Sequence, residues 1–266
     1  MMNRIDLKFK ELRRERKKAF IAFITAGYPN LKVTEDLVLA FEKSGVDIIE
    51  LGVPFSDPLA DGPTIQASSQ KALSNHTTLE KILSLVFRIR RKSSIPIALM
   101  TYYNPIFHFG EKRFVAKAKK AGVDGMIVPD LPPEEAGGLI RAARKSNLST
   151  IFFLSPTTTK ERTRKILQVS RGFIYYVSLT GVTGARGVLP ADIARHVRAA
   201  KRLTAKPICV GFGVSTSTQV KSIAKISDGV IVGSAIISAI TKNIGRKNFV
   251  KNVSRFVFHL SHGIRK

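Results

Sequence analysis

Three carboxylates lie close together in one short segment of the chain. Glu50 stands within an apolar run, and Asp57 and Asp61 follow it in a stretch rich in proline and glycine. Because alternate side chains of a strand face opposite sides, Glu50 faces away from the helices if its two apolar neighbours pack against them. A buried carboxylate needs a partner or a raised pKa, so this arrangement suits general acid–base chemistry. A structural role fits these residues equally well, with Glu50 in a hydrogen-bond network and the aspartates capping a helix.

Glycines that end two later apolar runs indicate an anion site. Gly211 and Gly213 end one run, and Thr216 and Gln219 then follow at the spacing of a capping box. Gly233–Ser234 ends the next run and leads directly into a helical pattern. Glycine lets backbone N–H groups approach an anion, and neither first turn carries an acid to compete with it. Many α/β barrels bind phosphate with the loops after their last two strands.

Eight apolar runs alternate with amphipathic stretches, which predicts a parallel α/β fold. The predicted strands are Phe20–Thr25, Asp47–Leu51, Ile95–Thr101, Gly125–Val128, Thr150–Leu154, Phe173–Ser178, Ile208–Gly211 and Gly229–Val232. The clearest predicted helices are Val33–Ser44, Lys112–Ala121, Pro133–Lys145, Lys160–Val169, Pro190–Lys201, Thr216–Ala224 and a last one in Gly245–Leu260. An open doubly wound sheet also fits this alternation. Eight strands in 266 residues favour one (β/α)8 TIM barrel that spans residues 1–266.

The first 18 residues add a feature outside this alternation. They carry Ile5, Phe9 and Leu12 at helical spacing between charged residues. This pattern predicts an extra N-terminal helix that covers the bottom of the barrel.

The composition favours a cytoplasmic protein with no metal site. The single cysteine, Cys209, excludes an internal disulfide, and its apolar neighbours predict a buried strand residue rather than a nucleophile. The charged N-terminus has no apolar signal segment, and no apolar run approaches the roughly 20 residues of a membrane helix. The five histidines lack the spacing of zinc ligands. We therefore expect no metal and no membrane association.

A formal net charge of +25 is the unusual feature of the composition. Such an excess attracts nucleic acid, acidic proteins or anionic substrates. The basic residues are spread along the chain, no aromatic residues are interleaved with them, and no nucleic-acid motif is present. A solvated basic surface is therefore the preferred interpretation, and no nucleic-acid partner is expected.

The segment Ile49–Gly62 resembles the signature of the tryptophan synthase α family. Further matches follow other predicted strands, and each falls where a loop between a strand and a helix is expected. They are Phe23–Pro29, Thr64–Gln66, Tyr103–Pro105, Pro129–Pro132, Gly181–Gly184, Gly211–Gly213 and Gly233–Ala235. The resemblance implies a lyase that cleaves indole-3-glycerol phosphate to indole and glyceraldehyde 3-phosphate.

The resemblance also implies roles for individual residues. Glu50 is the general acid/base, and Asp61 binds the ring N–H and stabilises its positive charge. The indole site is lined by Phe23, Leu99, Ile127, Tyr175 and Phe212, and Thr183 meets Asp57 and Asp61 when two loops close. The phosphate is bound by Gly184, Gly213, Gly233 and Ser234.

A partner is implied as well. The family assembles as an α2β2 heterotetramer, in which the β subunit holds pyridoxal phosphate and receives the indole, while this chain needs no cofactor. Asp57, Pro58, Asn104 and Pro132 are expected at the contact. A non-catalytic activator of the β subunit is the alternative, and another phosphate-binding barrel enzyme, such as an isomerase of the same pathway, is a third. Intact Glu50 and Asp61 favour the lyase.

Overall fold

A computed structural model describes residues 2–177, 191–211 and 213–265. Its strands are β1 Ala19–Thr25, β2 Ile48–Gly52, β3 Ile97–Met100, β4 Gly125–Ile127, β5 Ser149–Ile151, β6 Phe153–Leu154, β7 Ile174–Tyr176, β8 Ile208–Gly211 and β9 Gly229–Val232. Its helices are α1 Arg4–Arg14, α2 Leu31–Lys43, α3 Pro63–Ser74, α4 Leu79–Arg90, α5 Tyr103–Phe109, α6 Glu111–Ala121, α7 Gly137–Lys145, α8 Lys160–Val169, α9 Ala191–Leu203, α10 Ser217–Ala224, α11 Ser234–Asn243 and α12 Phe249–Arg265. The predicted alternation is confirmed.

The strands form a barrel in which the fifth strand is interrupted once. All pairings are parallel, and the hydrogen-bonded order within the described residues is β5-β4-β3-β2-β1-β9-β8-β7-β6. Only Phe152 separates β5 from β6, so the two ends of that order are halves of one extended segment. The nine strand segments therefore correspond to the eight predicted strands, and the TIM barrel is confirmed.

Alternation along the strands sorts side chains into two layers. Ile48, Ala98 and Ile231 belong to the cluster inside the barrel. Ile49 and Leu51 belong to the larger cluster between the strands and the helices. The two neighbours of Glu50 thus pack on the helices, as expected from a repeat of two residues.

Helix α1 closes the bottom of the barrel, as its apolar spacing predicts. Its three buried side chains Ile5, Phe9 and Leu12 join the inner cluster. At its start, the Asn3 amide donates to the backbone oxygen of Asp124 at 2.9 Å and to the Ser149 hydroxyl at 2.7 Å. The helix is therefore fixed to the barrel by both apolar and polar contacts.

Most predicted boundaries hold to within three residues. Gly45, Gly122 and Asn147 follow the ends of α2, α6 and α7. All three have positive φ, the left-handed conformation that commonly ends an α-helix. The helix predicted from Pro133 instead begins at Gly137, since the residues before it form a turn. The last helix begins at Phe249 and extends past Leu260 to Arg265.

Candidate active site

A cavity of about 820 Å³ opens at the carboxyl ends of the strands. This is the end at which barrel enzymes place their reacting groups. Glu50 and Asp61 both line it. So do side chains or backbone of Phe23, Leu59, Ile65, Met100, Pro129, Phe153, Tyr175, Gly211, Gly213, Ser215, Gly233, Ser234 and Ser238.

Glu50 is fully buried on β2 and points into this cavity. Neither carboxyl oxygen has a hydrogen-bond partner among the described residues. Burial, and secondarily the nearby charge of Asp61, raises the pKa of Glu50 to about 8. At neutral pH this carboxyl therefore carries a proton, and no described residue competes with a bound molecule for it.

Asp61 lies in the loop between β2 and α3, where a tyrosine from another loop holds it. The Tyr102 hydroxyl donates to Asp61 Oδ2 at 3.1 Å and accepts from the backbone N–H of Ala60 at 2.9 Å. The Tyr102 ring stacks on Phe55, with 5.3 Å between ring centroids. Burial raises the pKa of Asp61, whereas the hydrogen bond from Tyr102 lowers it.

Aromatic rings form the walls around Glu50. The Phe153 and Tyr175 rings lie 4.8 Å apart at 40°. A Cβ atom on Gly52 would lie 2.6 Å from the Phe23 ring, and one on Gly211 would lie 2.9 Å from the Tyr175 hydroxyl. Both glycines are therefore required for these rings to lie across the strand ends. The result is an apolar slot that suits a flat ring.

The other end of the cavity has the geometry of an anion site. Gly213 has a φ of 50°, a conformation that side chains disfavour. Helix α11 begins at Ser234, and no side chain of the described residues caps it at Gly233. Its first N–H groups therefore face the cavity with the positive end of the helix dipole. The predicted capping box of Thr216 and Gln219 is also present, at the start of α10.

Two predicted ring contacts lie elsewhere. Leu99 is in the layer that faces the helices, because it is paired with Leu51, and its neighbour Met100 lines the cavity instead. Ile127 faces the barrel interior but packs in the inner cluster and does not line the cavity. Thr183, Gly184 and Phe212 are outside the described residues. Sequence reasoning missed Tyr102 and Phe153, although strand alternation alone would have placed Met100 and Phe153 inward.

The residues expected to contact a partner lie in the loops at the same end as the cavity. Asp57 and Pro58 precede Asp61, Asn104 is in the first turn of α5, and Pro132 follows β4. Two apolar side chains beside them are exposed: Leu59 at 94% and Phe107 at 70%. Large exposed apolar side chains at one place are typical of a contact surface.

The part of the chain that the structure describes contains neither a metal site nor a membrane-spanning helix. No group of His, Cys, Asp and Glu there could hold a metal ion. Among the same residues, no helix is long and apolar enough to span a membrane.

Known proteins are similar to this chain in sequence and in fold over nearly their whole length. A family model described as tryptophan synthase alpha chain matches residues 9–263. The tryptophan synthase alpha chain of Geotalea daltonii is 51% identical, covering 99% of both chains. That of Caldanaerobacter subterraneus subsp. tengcongensis is 48% identical, covering 97% of this chain and 98% of its own.

Solved structures agree with the sequence comparisons. Tryptophan synthase subunit alpha from Legionella pneumophila superposes with a TM-score of 0.93 at 37% identity, covering 100% of this chain and 99% of its own. A tryptophan synthase structure from Mycobacterium tuberculosis contains a chain that superposes with a TM-score of 0.91 at 34% identity, with both chains covered completely. The chain therefore belongs to the tryptophan synthase alpha chain family.

Proposed function

We propose that this barrel cleaves indole-3-glycerol phosphate to indole and glyceraldehyde 3-phosphate, with Glu50 transferring the protons and Asp61 holding the ring nitrogen. The observation that carries the proposal is a buried carboxyl with a pKa of about 8, which has no hydrogen-bond partner among the described residues and lies in the cavity beside a second carboxyl. Family membership supports the reaction and the assignment as a carbon–carbon lyase. A single domain over residues 1–266 carries this activity. The protein acts in the cytoplasm.

The reaction needs a group that first gives and then takes a proton. The ring carbon that bears the glycerol chain must be protonated so that indole can leave. The adjacent hydroxyl must lose its proton as the aldehyde forms. A protonated Glu50 supplies the first proton and, once ionised, accepts the second. Positive charge develops at the ring nitrogen meanwhile, and the Asp61 carboxylate stabilises it.

The two ends of the cavity orient this substrate. The apolar slot formed by Phe23, Phe153 and Tyr175 takes the flat indole ring. The phosphate lies at Gly213, Gly233 and Ser234, where backbone N–H groups and a helix dipole favour an anion. The scissile bond then lies between the two ends, close to Glu50. No cofactor is required for these proton transfers.

An added negative charge at the phosphate end should weaken substrate binding. We expect Ser234→Asp to raise KM at least roughly tenfold, because a carboxylate at the first position of α11 repels the phosphate. Ser94→Asp is the matched control, since it adds the same charge at an exposed serine between α4 and β3, at the end of the barrel opposite the cavity. An unchanged KM for Ser234→Asp, or an equal rise in both variants, would place the phosphate elsewhere.

The chain acts with a β subunit that holds pyridoxal phosphate and receives the indole, in an α2β2 complex. The exposed loop with Asp57, Pro58 and Leu59 leads directly into Asp61, so a partner that orders this loop also completes the catalytic site. We expect slow cleavage by the isolated chain and at least roughly tenfold stimulation by its own β subunit, which is about 1.4 kcal/mol of coupling.

Truncation of Phe107 tests that contact. Phe107→Ala should weaken β-subunit binding and stimulation by about tenfold or more, because it removes a large exposed apolar side chain one helical turn from Asn104. Phe87→Ala is the control, since Phe87 is 53% exposed on α4 and lies toward the opposite end of the barrel. Titration calorimetry with the β subunit distinguishes the two. Equal effects of both variants would exclude this loop face as the contact.

Indole release from indole-3-glycerol phosphate, measured with and without the β subunit, tests the function as a whole. Release by the chain supports the lyase. Stimulation of the β subunit with no indole release would instead identify a non-catalytic activator.

A further inference from the structure

Many exposed positive charges lie at the end of the barrel opposite the cavity. Helices that connect parallel strands run antiparallel to them, so their last turns lie at the amino ends of the strands. These last turns are basic in many of the described helices; they include Lys43, Lys119, Lys120, Arg144, Lys145, Lys201 and Arg202. The first turns, at the cavity end, are mixed in sign: beside the acids Glu80, Glu111 and Glu161 they carry the cations Lys81, Lys112, Arg113, Lys160 and Arg162.

Helix α1 adds to this charge because it lies across the same end. Arg13 and Arg14 are in its last turn, and Arg16, Lys17 and Lys18 follow directly. We call this segment, Arg13–Lys18, together with the basic last turns, the basic pole. Beside α1 the pole contains a groove of about 280 Å³. Four cations line the groove, from Arg13, Arg16, Lys17 and Lys18, and Asp228 is the one acid among its lining residues.

The acids of the pole neutralise only some of its cations. Within the segment Arg13–Lys18, Glu15 pairs with Lys17 at 2.7 Å. Asp228 lies 2.8 Å from Lys201 and 3.7 Å from Lys18. Asp124 is buried against Arg90 at 2.7 Å. By contrast, a set of exposed cations forms no ion pair within the described ranges; it comprises Arg14, Arg16, Lys119, Lys120, Arg144, Lys145 and Arg202.

We propose that the basic pole binds the phosphodiester backbone of single-stranded nucleic acid, without reading its bases. Cations spread over a face match the repeated charges of such a polymer better than a small anion, which needs donors that converge on one point. The groove is lined by four cations, and a flexible strand can follow it. A flat membrane surface cannot enter such a groove, so the strand is the favoured occupant. Phe9 is the one aromatic residue that lines this groove, and its side chain is buried, so base stacking contributes little.

This inference revises the expectation drawn from the sequence. Basic residues spread along the chain indicated no nucleic-acid partner, but the fold collects many of them at one pole. The pole is also remote from the cavity and from the expected β-subunit contact. Nucleic acid and the β subunit therefore bind at the same time, and docking of the β subunit should depend only weakly on salt.

Fluorescence anisotropy with a labelled random single-stranded oligonucleotide tests the proposal on the full chain. We compare two triple variants at about 50 to 200 mM salt. The first, Arg13→Gln, Arg14→Gln and Arg16→Asn, removes three exposed charges from the pole that form no ion pair among the described residues. The second, Lys81→Gln, Lys112→Gln and Lys160→Gln, removes three exposed charges in the first turns of α4, α6 and α8 that form no ion pair among the described residues. Circular dichroism and indole release verify that both remain folded.

The proposal predicts a difference between the two variants. The pole variant should bind at least roughly tenfold more weakly at 100 mM salt, and its salt slope should fall by about 2, because each phosphate that is no longer neutralised lowers the slope by about 0.7. The control variant should bind within about twofold of the parent. Equal decreases in both, or no binding by the parent at about 50 mM salt, would overturn the proposal. The proposal would also be overturned if the oligonucleotide did not bind, whereas phosphatidylglycerol vesicles bound with the same loss in the pole variant.

Discussion

Glu50→Gln should abolish indole release and yield a folded protein that is more stable than the parent. Glutamine keeps the shape of the side chain but neither gives nor takes a proton, so the rate should fall on the order of 10² to 10⁴. Steady-state kinetics with indole-3-glycerol phosphate measure the loss. Activity within a few-fold of the parent would remove Glu50 from the mechanism.

The gain in stability follows from the pKa of the same carboxyl. In the unfolded chain Glu50 ionises near the ordinary glutamate pKa of 4.5, whereas in the folded protein burial holds the proton until about pH 8. Between these values the folded state binds more protons, so its stability falls as pH rises. Glutamine does not ionise, so the free energy of unfolding of the variant should exceed that of the parent by an amount that grows from about pH 5 to pH 8 and reaches up to ~4 kcal/mol.

Denaturant titrations of both proteins at several pH values measure this difference. Glu35→Gln is the control, because the hydrogen bonds from Lys92 and Arg88 lower the pKa of Glu35 despite its burial. That variant should lose stability above about pH 5 rather than gain it. Parallel stability curves for the parent and Glu50→Gln would show that Glu50 ionises normally in the folded protein.

The same carboxyl sets the pH range of catalysis. Because the protonated form starts the reaction, kcat/KM should fall as pH rises through about 8. The pH dependence of kcat/KM reports the pKa of Glu50 in the free enzyme. Added β subunit should therefore shift this dependence only through contacts that change the burial of Glu50.

Asp61→Asn should impair cleavage almost as strongly, by on the order of 10² or more. The amide oxygen still accepts the ring N–H, but it carries no charge to stabilise the positive ring. The loss should appear in kcat, while inhibition by inorganic phosphate stays unchanged because that anion binds at the other end of the cavity. A variant with weaker phosphate binding and normal kcat would contradict this division of roles.

Tyr102→Phe distinguishes the charge of Asp61 from its position. The ring and its stacking on Phe55 remain, but the hydroxyl that contacts Asp61 and Ala60 is removed. We expect a decrease in kcat of about tenfold, smaller than for Asp61→Asn, because the carboxylate is still present but is held less well. Addition of the β subunit should restore much of this activity if the partner orders the same loop.

Local patterns in the sequence were sufficient for several elements of this protein. The repeat of two residues in β2 determined that Glu50 points into the barrel, since its neighbours Ile49 and Leu51 are apolar. The spacing of Ile5, Phe9 and Leu12 predicted a helix with one buried face, and Thr216 with Gln219 predicted the start of α10. Each of these features depends on backbone geometry within a few consecutive residues, so the local order of residues is enough to predict it.

Only the tertiary structure decided which groups from distant segments meet. Resemblance assigned Leu99 to the ring site, but a shift of one residue along a strand exchanges its two faces, and the pairing of β3 with β2 selects Met100. The contact between Tyr102 and Asp61 joins loops that follow different strands, and no local pattern encodes it. The basic pole arises in the same way, because closure of the barrel brings the last turns of successive helices to one end.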